Sequence, residues 1–590
     1  MTAPVPGVTY YYDPSQLAFL APGREPLLIG PAGWTAPDPV KAGSLPVGEA
    51  HYGVPDTGQV LFVDPSGSDG AAGTVGAPKK TLAGALSAAS SGAVIVLREG
   101  SYHESLSVTK AVTIQAYPGE EVWLDGSTQY TSWTGSGPYT ATLGPNWSPI
   151  DSSRYPYNDA AANLPEQVWI DGVAQKQLAD GATPGAGQFS VNRTAHTITL
   201  GTNPSGKEVR VADLNQALVF SAQVRVFGIG FRRYSPLAVE GISALIYFGG
   251  TSQGSLIENC VFQESGMHGI STARGITLRN ITVQDCNQSG IQATTANGLL
   301  IERFVVRRCN RGLWKFQPIT AGIKITKSDL TKVLHGRIED VPNGAGLWWD
   351  TYCPRLTAAD VYVDGATAVP GGAQMDVGIH PEGLDGGKIG GVQYTGWIVD
   401  CHTKNTRNGV KILDAGWITV ANSKIEAYSL CGFYLQQDDR RNTGARADEG
   451  SVEVSPWLTL HNSLLNNDIG GGGKQVIAYQ DPIAWTPAQL GWDAFERLAG
   501  NWFRPAPPGT MVELGRADGS RQTFNTPAAL AATPSTVGVR GTKLGVNHQG
   551  TSAPSDTIAD ELPEEILALL GAPRGLKRVG MILPDPVATF

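Results

Sequence analysis

The stretch LIENCVFQESGMHGI at 256–270 is followed by ITLRNITVQDCNQSGI at 276–291 and by LLIERFVVRRCNRGL at 299–313. Each phrase has an apolar group, a polar residue, a second apolar run and then Gly with a branched apolar neighbour. The Gly-apolar pairs are Gly269-Ile270, Gly290-Ile291 and Gly312-Leu313, a period of 21 to 22 residues. A strand-rich repeat this short implies a solenoid, and a solenoid presents one long ladder face to a polymer.

Working outward, candidate strands run from Ala217 to about Asp468, among them VRVFGIGFRRY, LHGRIEDVP, LTAADVYVD, GWIVDCHTKN, WITVANSKIEAY and LTLHNSLLNND. Val, Ile and Leu alternate with polar residues, so each strand has an inner and an outer side. Asn259, Asn280, Asn422 and Asn462 stand where coils must turn, where Asn satisfies backbone groups and tolerates left-handed dihedrals.

The 590 residues include 73 Gly and 39 Pro, so the chain turns often and helix signals are sparse. Lys and Arg number 44 against 53 Asp and Glu, a net charge of −9, with no basic stripe to suit nucleic acid. The six cysteines form no CxxC pair, which disfavours structural zinc. Cys286 and Cys309 hold similar places in successive repeats and are expected as packed free thiols. The opening MTAPVPGVTYYYDPSQ lacks the pattern of a signal peptide, and no apolar run reaches membrane-spanning length. Cytoplasmic, virion-associated and secreted-with-leader-removed locations all stay open.

Residues 1–56 read as an N-terminal arm or cap, and 57–468 as the solenoid. Within it, TLAGALSAASSG at 81–92 predicts a helix that covers an apolar end. Residues 163–212 break the rhythm and predict a small antiparallel insert. Residues 469–590 read as a capping tail, starting from the GGGG stop, with a short helix over 487–499 and further helical pieces in PAALAATPSTVG and ELPEEILALLGAPRG.

The pieces VDPSGSDG, APKKTLAGALSAASSG, IVLREGSYHESLSV, VTIQAYPGE and LDG, in that order, resemble the right-handed parallel β-helix proteins of the pectate-lyase-like superfamily. The insert and tail are similar to those of its bacterial carbohydrate-active branch. The resemblance spans residues 59–510. It implies an all-β fold, a right-handed parallel β-helix with a small antiparallel insert and helical caps.

Candidate chemistry lies in 322–387, where GIKITKS, GAGLWWDTYC and DVGIHPEGLDGG each follow the Gly-apolar step with residues a passive coil does not need. Of Trp348 and Trp349, one must point in and the other out. The outward indole is a candidate platform for a sugar ring. If Gly346-Leu347 and Gly378-Ile379 hold one coil position, Asp350 and Glu382 share one offset and project from nearby coils. Adjacent coils lie about 4.8 Å apart, and that spacing or its double brackets the carboxyl gaps of glycosidases. Asp350 and Glu382 are therefore the catalytic candidates. Lys324, His380 and Lys411 each stand two residues past a Gly, and with Asp376, Asp414 and Tyr434 complete the candidate substrate-binding set. No cofactor is required by this chemistry, and Asp438-Asp439 is a candidate Ca²⁺ pair.

GIKITKS, GLWWD and GIHPEG in succession resemble a pattern in bacterial β-helix proteins, many assigned as glycosidases. This chain keeps Lys324, Asp350 and Glu382, carries Ile325 in place of the usual aromatic, and places Pro381 before Glu382. The expected function is a glycoside hydrolase acting on a poly- or oligosaccharide. A polysaccharide lyase, with Arg307, Arg308 and Arg311 as the neutralising group, is the first alternative. A tail spike or sugar-binding protein is the second and would be a trimer, whereas an enzyme of this kind is a monomer or other homo-oligomer.

Overall fold

The computed structural model describes residues 36–148, 160–235, 244–365, 374–384, 388–389, 392–393, 396–437, 462–473, 475–480, 495–504, 510–515, 521–526, 528–529, 543–544, 547–549, 554 and 556–589. Short strands pair in parallel with their counterparts one coil on and build three walls. The first wall runs through Leu256–Glu258, Thr277–Arg279 and Leu300–Glu302, and the second through Val261–Gln263, Thr282–Gln284 and Val305–Arg307. The third runs through His268–Thr272, Ile291–Thr294, Ala321–Thr326, Ala345–Asp350, Met375–Leu384, Thr406–Ala415 and Cys431–Gln436. Parallel strands need crossovers, and here each crossover is the rest of a coil, so the product is a parallel β-helix.

Alternation sends Ile, Val, Leu and Phe inward into one continuous core. Phe231 and Phe262 stack inside it with ring centroids 4.9 Å apart. The corner between the first and second walls takes a left-handed residue: Asn259, Asn280 and Asn422 with φ of 49°, 47° and 47°, and equally Arg303, His335, Asp360 and Asp400. Asn462 differs. It is buried, its amide donates to the Ala415 carbonyl, and its oxygen accepts from Ile418.

The Gly of the repeat has a steric origin. A Cβ on Gly269 would stand 2.8 Å from the Gly290 carbonyl oxygen, and one on Gly290 would stand 2.7 Å from that of Gly322. The series continues through Gly346, Gly378, Gly409 and Gly432, each facing the next coil's carbonyl at 2.9 Å or less. Gly312 is not a member. It lies in a turn, and the third coil's ladder glycine is Gly322, because the loop after Asn310 lengthens that coil.

The helix Leu82–Ala88 is capped by Thr81 and buries Leu82 and Ala85 against the core. The insert's sheets take in Ser127–Gln129 and Tyr139–Thr142, so it starts before residue 163. It is mostly antiparallel, with one parallel pair, Lys176–Gln177 against Gln188–Asn192. Parallel pairing does not stop at Asp468. Phe495–Ala499, Trp502–Arg504, Lys543–Leu544 and His548–Gln549 extend the first two walls. The expected helix over 487–499 is thus a strand in its described part, and Gly471 and Gly473 are left-handed turn residues rather than a stop.

The helix Glu564–Leu569 forms within ELPEEILALL, but its segment lies along the side of the first wall. Leu562, Ile566, Leu567 and Leu570 cover an outer row made of Leu334, Ala359, Val399, Ala421, Leu465 and Ala499. Val587–Ala588 then pairs with Lys41–Ala42 of the N-terminal arm. No helix among the described residues is long and apolar enough to cross a membrane.

Candidate functional site

Strand register settles which candidates meet. In the third wall Lys324 pairs with Trp348 and Trp348 with His380, while Lys411 pairs with Tyr434 one coil further. Two residues along, Thr326 pairs with Asp350 and Asp350 with Glu382. The two carboxyls therefore belong to directly adjacent strands on the outer side of one wall. Pro381 sits between them and the core in register with Trp349, and does not displace Glu382.

Each carboxyl has its own basic neighbour. Lys324 Nζ stands 2.8 Å from Asp350 Oδ2, and Thr351 Oγ1 donates to Asp350 Oδ1 at 2.9 Å. His380 Nε2 stands 3.0 Å from Glu382 Oε2, and His380 Nδ1 lies 2.9 Å from the Lys411 carbonyl oxygen. The Glu382 side chain is 3 % exposed and that of Asp350 17 %, so the site is largely shielded from water.

The two tryptophans divide as alternation requires, but neither offers an open ring. Trp349 is core, and its Nε1 donates to Thr331 Oγ1 at 3.0 Å. Trp348 points outward yet is 1 % exposed. Lys324 Nζ lies 3.7 Å from its ring centroid, His380 stacks on it at 5.5 Å, and Phe316 packs against it at 4.8 Å. The sugar-platform expectation is corrected for both residues: Trp348 instead orients Lys324 and His380.

Other candidates fall outside the pair. Asp376 lies near the far end of its strand and contacts Arg407 at 3.4 Å. Asp414 is fully buried at a left-handed turn, where Gln437 donates to its Oδ1 at 2.7 Å. Lys411 and Tyr434 extend the outer row beyond His380, half-buried, with Lys411 Nζ 5.6 Å from the Tyr434 ring. Asp438-Asp439 lies outside the described residues. Among the described residues no cluster of three or more His, Cys, Asp or Glu is arranged around a metal position.

Arg307 and Arg308 belong to the second wall and its corner. Both donate to Gln284 Oε1, and Arg308 also holds Asp285. They do not join the third-wall carboxyls. All six cysteines are buried thiols outside any disulfide, and burial pushes the Cys260 thiol up to about 12.

Sequence reasoning missed Phe316 and Pro318. The Lys324 ammonium donates to the Pro318 carbonyl, and the Phe316 ring roofs Trp348. The one signal was the extra length between Gly290 and Gly322.

A family model described as right handed beta helix region matches residues 239–347. The chain is a right-handed parallel β-helix. Over 76 residues this β-helix is 40% identical to the uncharacterized protein YwoF of Bacillus subtilis (strain 168), covering 12% of this chain and 16% of that one. Over 74 residues it is 39% identical to the pectate lyase PEL9 of Emericella nidulans, covering 11% and 18%. The chain thus spans less than a fifth of either relative's length. Among solved structures, XylC in complex with xylose superposes with a TM-score of 0.56 at 14% identity, over 78% of this chain and 86% of that one. At that identity the likeness speaks to the fold alone.

Proposed function

We propose that this β-helix is a glycoside hydrolase acting on a poly- or oligosaccharide, with Asp350 and Glu382 as its paired carboxyls. One observation carries the reading: the two are cross-strand partners on the outer side of the third wall. Neighbouring strands lie about 4.8 Å apart, close to the ~5–5.5 Å of retaining enzymes and short of the ~6.5–9.5 Å of inverting ones. One carboxyl protonates the glycosidic oxygen as the other bonds to the anomeric carbon. Water then releases the sugar, giving its proton to the first carboxyl. Lys411 and Tyr434, next along the outer row, serve as hydroxyl and ring contacts for the sugar.

The test is a screen on aryl glycosides and cell-wall polysaccharides, repeated with Asp350→Asn and Glu382→Gln. Each substitution is expected to lower turnover at least ~100-fold, the usual scale of acid–base loss. Full turnover in both variants sinks the assignment. A lyase is the second reading, favoured by the stretch shared with PEL9. It requires unsaturated products that absorb in the ultraviolet, which a hydrolase does not make.

A further inference from the structure

The loop between Asn310 and Ala321 is tied down at its foot and across its tip. Asn310 Nδ2 donates to the Trp314 carbonyl at 2.8 Å, and the Trp314 amide donates to Asn310 Oδ1 at 2.9 Å. At the tip, the Thr320 hydroxyl donates to the Lys315 carbonyl at 2.8 Å and the Thr320 amide to the Phe316 carbonyl at 3.0 Å. The Lys324 ammonium donates to the Pro318 carbonyl, and Gln292 Nε2 and Ser289 Oγ donate to that of Ile319. The carbonyls of Trp314, Lys315, Phe316, Pro318 and Ile319 are thus all engaged, so the loop fixes the Phe316 ring in place.

Strand register says where that place is. The ring packs against Trp348 with centroids 4.8 Å apart and against His380 at 5.8 Å. Trp348 stands two residues before Asp350 on its strand, and His380 two before Glu382 on the next. Side chains two apart on a strand point to one face, about 6.6 Å from each other. Phe316 therefore lies over the same two coils as the carboxyls and beside them on the outer side of the third wall. Trp348 beneath it is sealed at 1 % exposure, whereas Phe316 itself stays partly exposed.

We propose that Phe316 is a sugar-binding residue of this site, its open side stacking on the sugar ring next to the bond that is cleaved. The inference rests on the glycosidase reading and supplies the aromatic contact that Trp348 and Trp349 do not. An aromatic ring takes the apolar face of a sugar out of water while the hydroxyls at the rim keep polar partners. The substrate at this position is accordingly a sugar ring that presents a face of C–H groups.

The test measures kcat and KM for wild type, Phe316→Leu and Phe316→Trp on the glycoside that turns over best in the screen. A contact made equally in the bound and transition states alters KM alone. Phe316→Leu keeps apolar bulk over Trp348 and is expected to raise KM about fivefold to tenfold, the scale of an aromatic contact, with kcat within about twofold. Phe316→Trp is expected to restore the wild-type KM. A fall in kcat at unchanged KM in Phe316→Leu overturns the proposal, because the ring then acts only by holding Trp348. Unchanged kcat and KM in Phe316→Leu overturn it as well. On titration with wild-type protein, the C–H protons of the released sugar are expected to shift upfield in the ring current. Absence of that shift, or its survival in Phe316→Leu, counts against the stacking. Either negative result leaves the glycosidase reading standing where Asp350→Asn and Glu382→Gln lose turnover. Full turnover in both carboxyl variants removes that reading and this inference with it.

Discussion

His268 and His402 are both buried, and the fold treats them in opposite ways. Burial pushes His268 down to about 3. Between pH 6.5 and 3 the unfolded chain takes up a proton there that the folded chain refuses, so this residue lowers stability as pH falls through that window. Burial also opposes charge on His402, but Asp585 and Glu426 on its two nitrogens prevail and hold it above its ordinary value. Its stabilising effect is complete below about pH 6.5 and is lost as pH rises through the raised value. Glu426, accepting from His402, is pulled down to about 2 against burial, with Lys424 assisting. Its contribution is present above the ordinary carboxyl value of 4.5 and lost as pH falls toward 2. Relative to wild type, His268→Gln is expected to flatten the pH dependence of apparent Tm between 6.5 and 4.5. His402→Gln is expected to flatten it above 6.5. Each residue supplies a slope of up to ~1.4 kcal/mol per pH unit. Parallel melting curves for wild type and both variants would refute the assignments.

The glycine ladder makes the coil an exact stacking unit at the scale of the element. A methyl on Gly290 would sit 2.5 Å from Val306 Cγ1 and 2.7 Å from the Gly322 carbonyl oxygen, and the carbonyl cannot yield without opening the wall. Gly290→Ala is expected to cost ~1–3 kcal/mol, the range of overpacking. Gly250→Ala, where nothing lies within 4 Å, is expected to melt with wild type. Equal Tm values would show that the ladder has slack. The same ladder explains how much was legible in the sequence. Gly-apolar pairs and strand alternation are local and periodic, so they revealed the coils and put Asp350 and Glu382 in one row. Gly312 misled because a turn glycine and a ladder glycine look alike until strand pairing separates them. Alternation foretold that one of Trp348 and Trp349 faces out. It could not foretell the Phe316 roof, since that residue arrives from a loop with no repeat to follow. Nor did it reveal that His380 Nδ1 meets the Lys411 carbonyl, because that contact depends on the strand one coil away.

Across the whole molecule, the outer row of the first wall changes character along the axis. It runs Glu258, Arg279, Glu302, an ion-paired series, and then Leu334, Ala359, Val399, Ala421, Leu465 and Ala499. An apolar row of that length exposed to water would invite association, and here Leu562–Leu583 covers it. Corner residues fasten the cover. The Asp400 carboxyl accepts from the Ile582 and Leu583 amides, Asn422 donates to the Arg578 and Gly580 carbonyls, and Asn466 exchanges two hydrogen bonds with Asp560. The left-handed corners that turn the coils thus also hold the tail. Burial raises the Asp400 carboxyl well above its ordinary range, consistent with a group sealed under the strap. Asp400→Ala leaves two buried amides without their acceptor, at ~1–3 kcal/mol each. Hydrogen exchange is expected to speed up across 556–589 and at the corners beneath, with the third-wall strands Ala321–Thr326, Ala345–Asp350 and Met375–Leu384 unchanged. Uniformly faster exchange through all coils would mean that the strap and the solenoid unfold as one unit. Unchanged exchange in 556–589 would mean that the apolar row alone holds the strap.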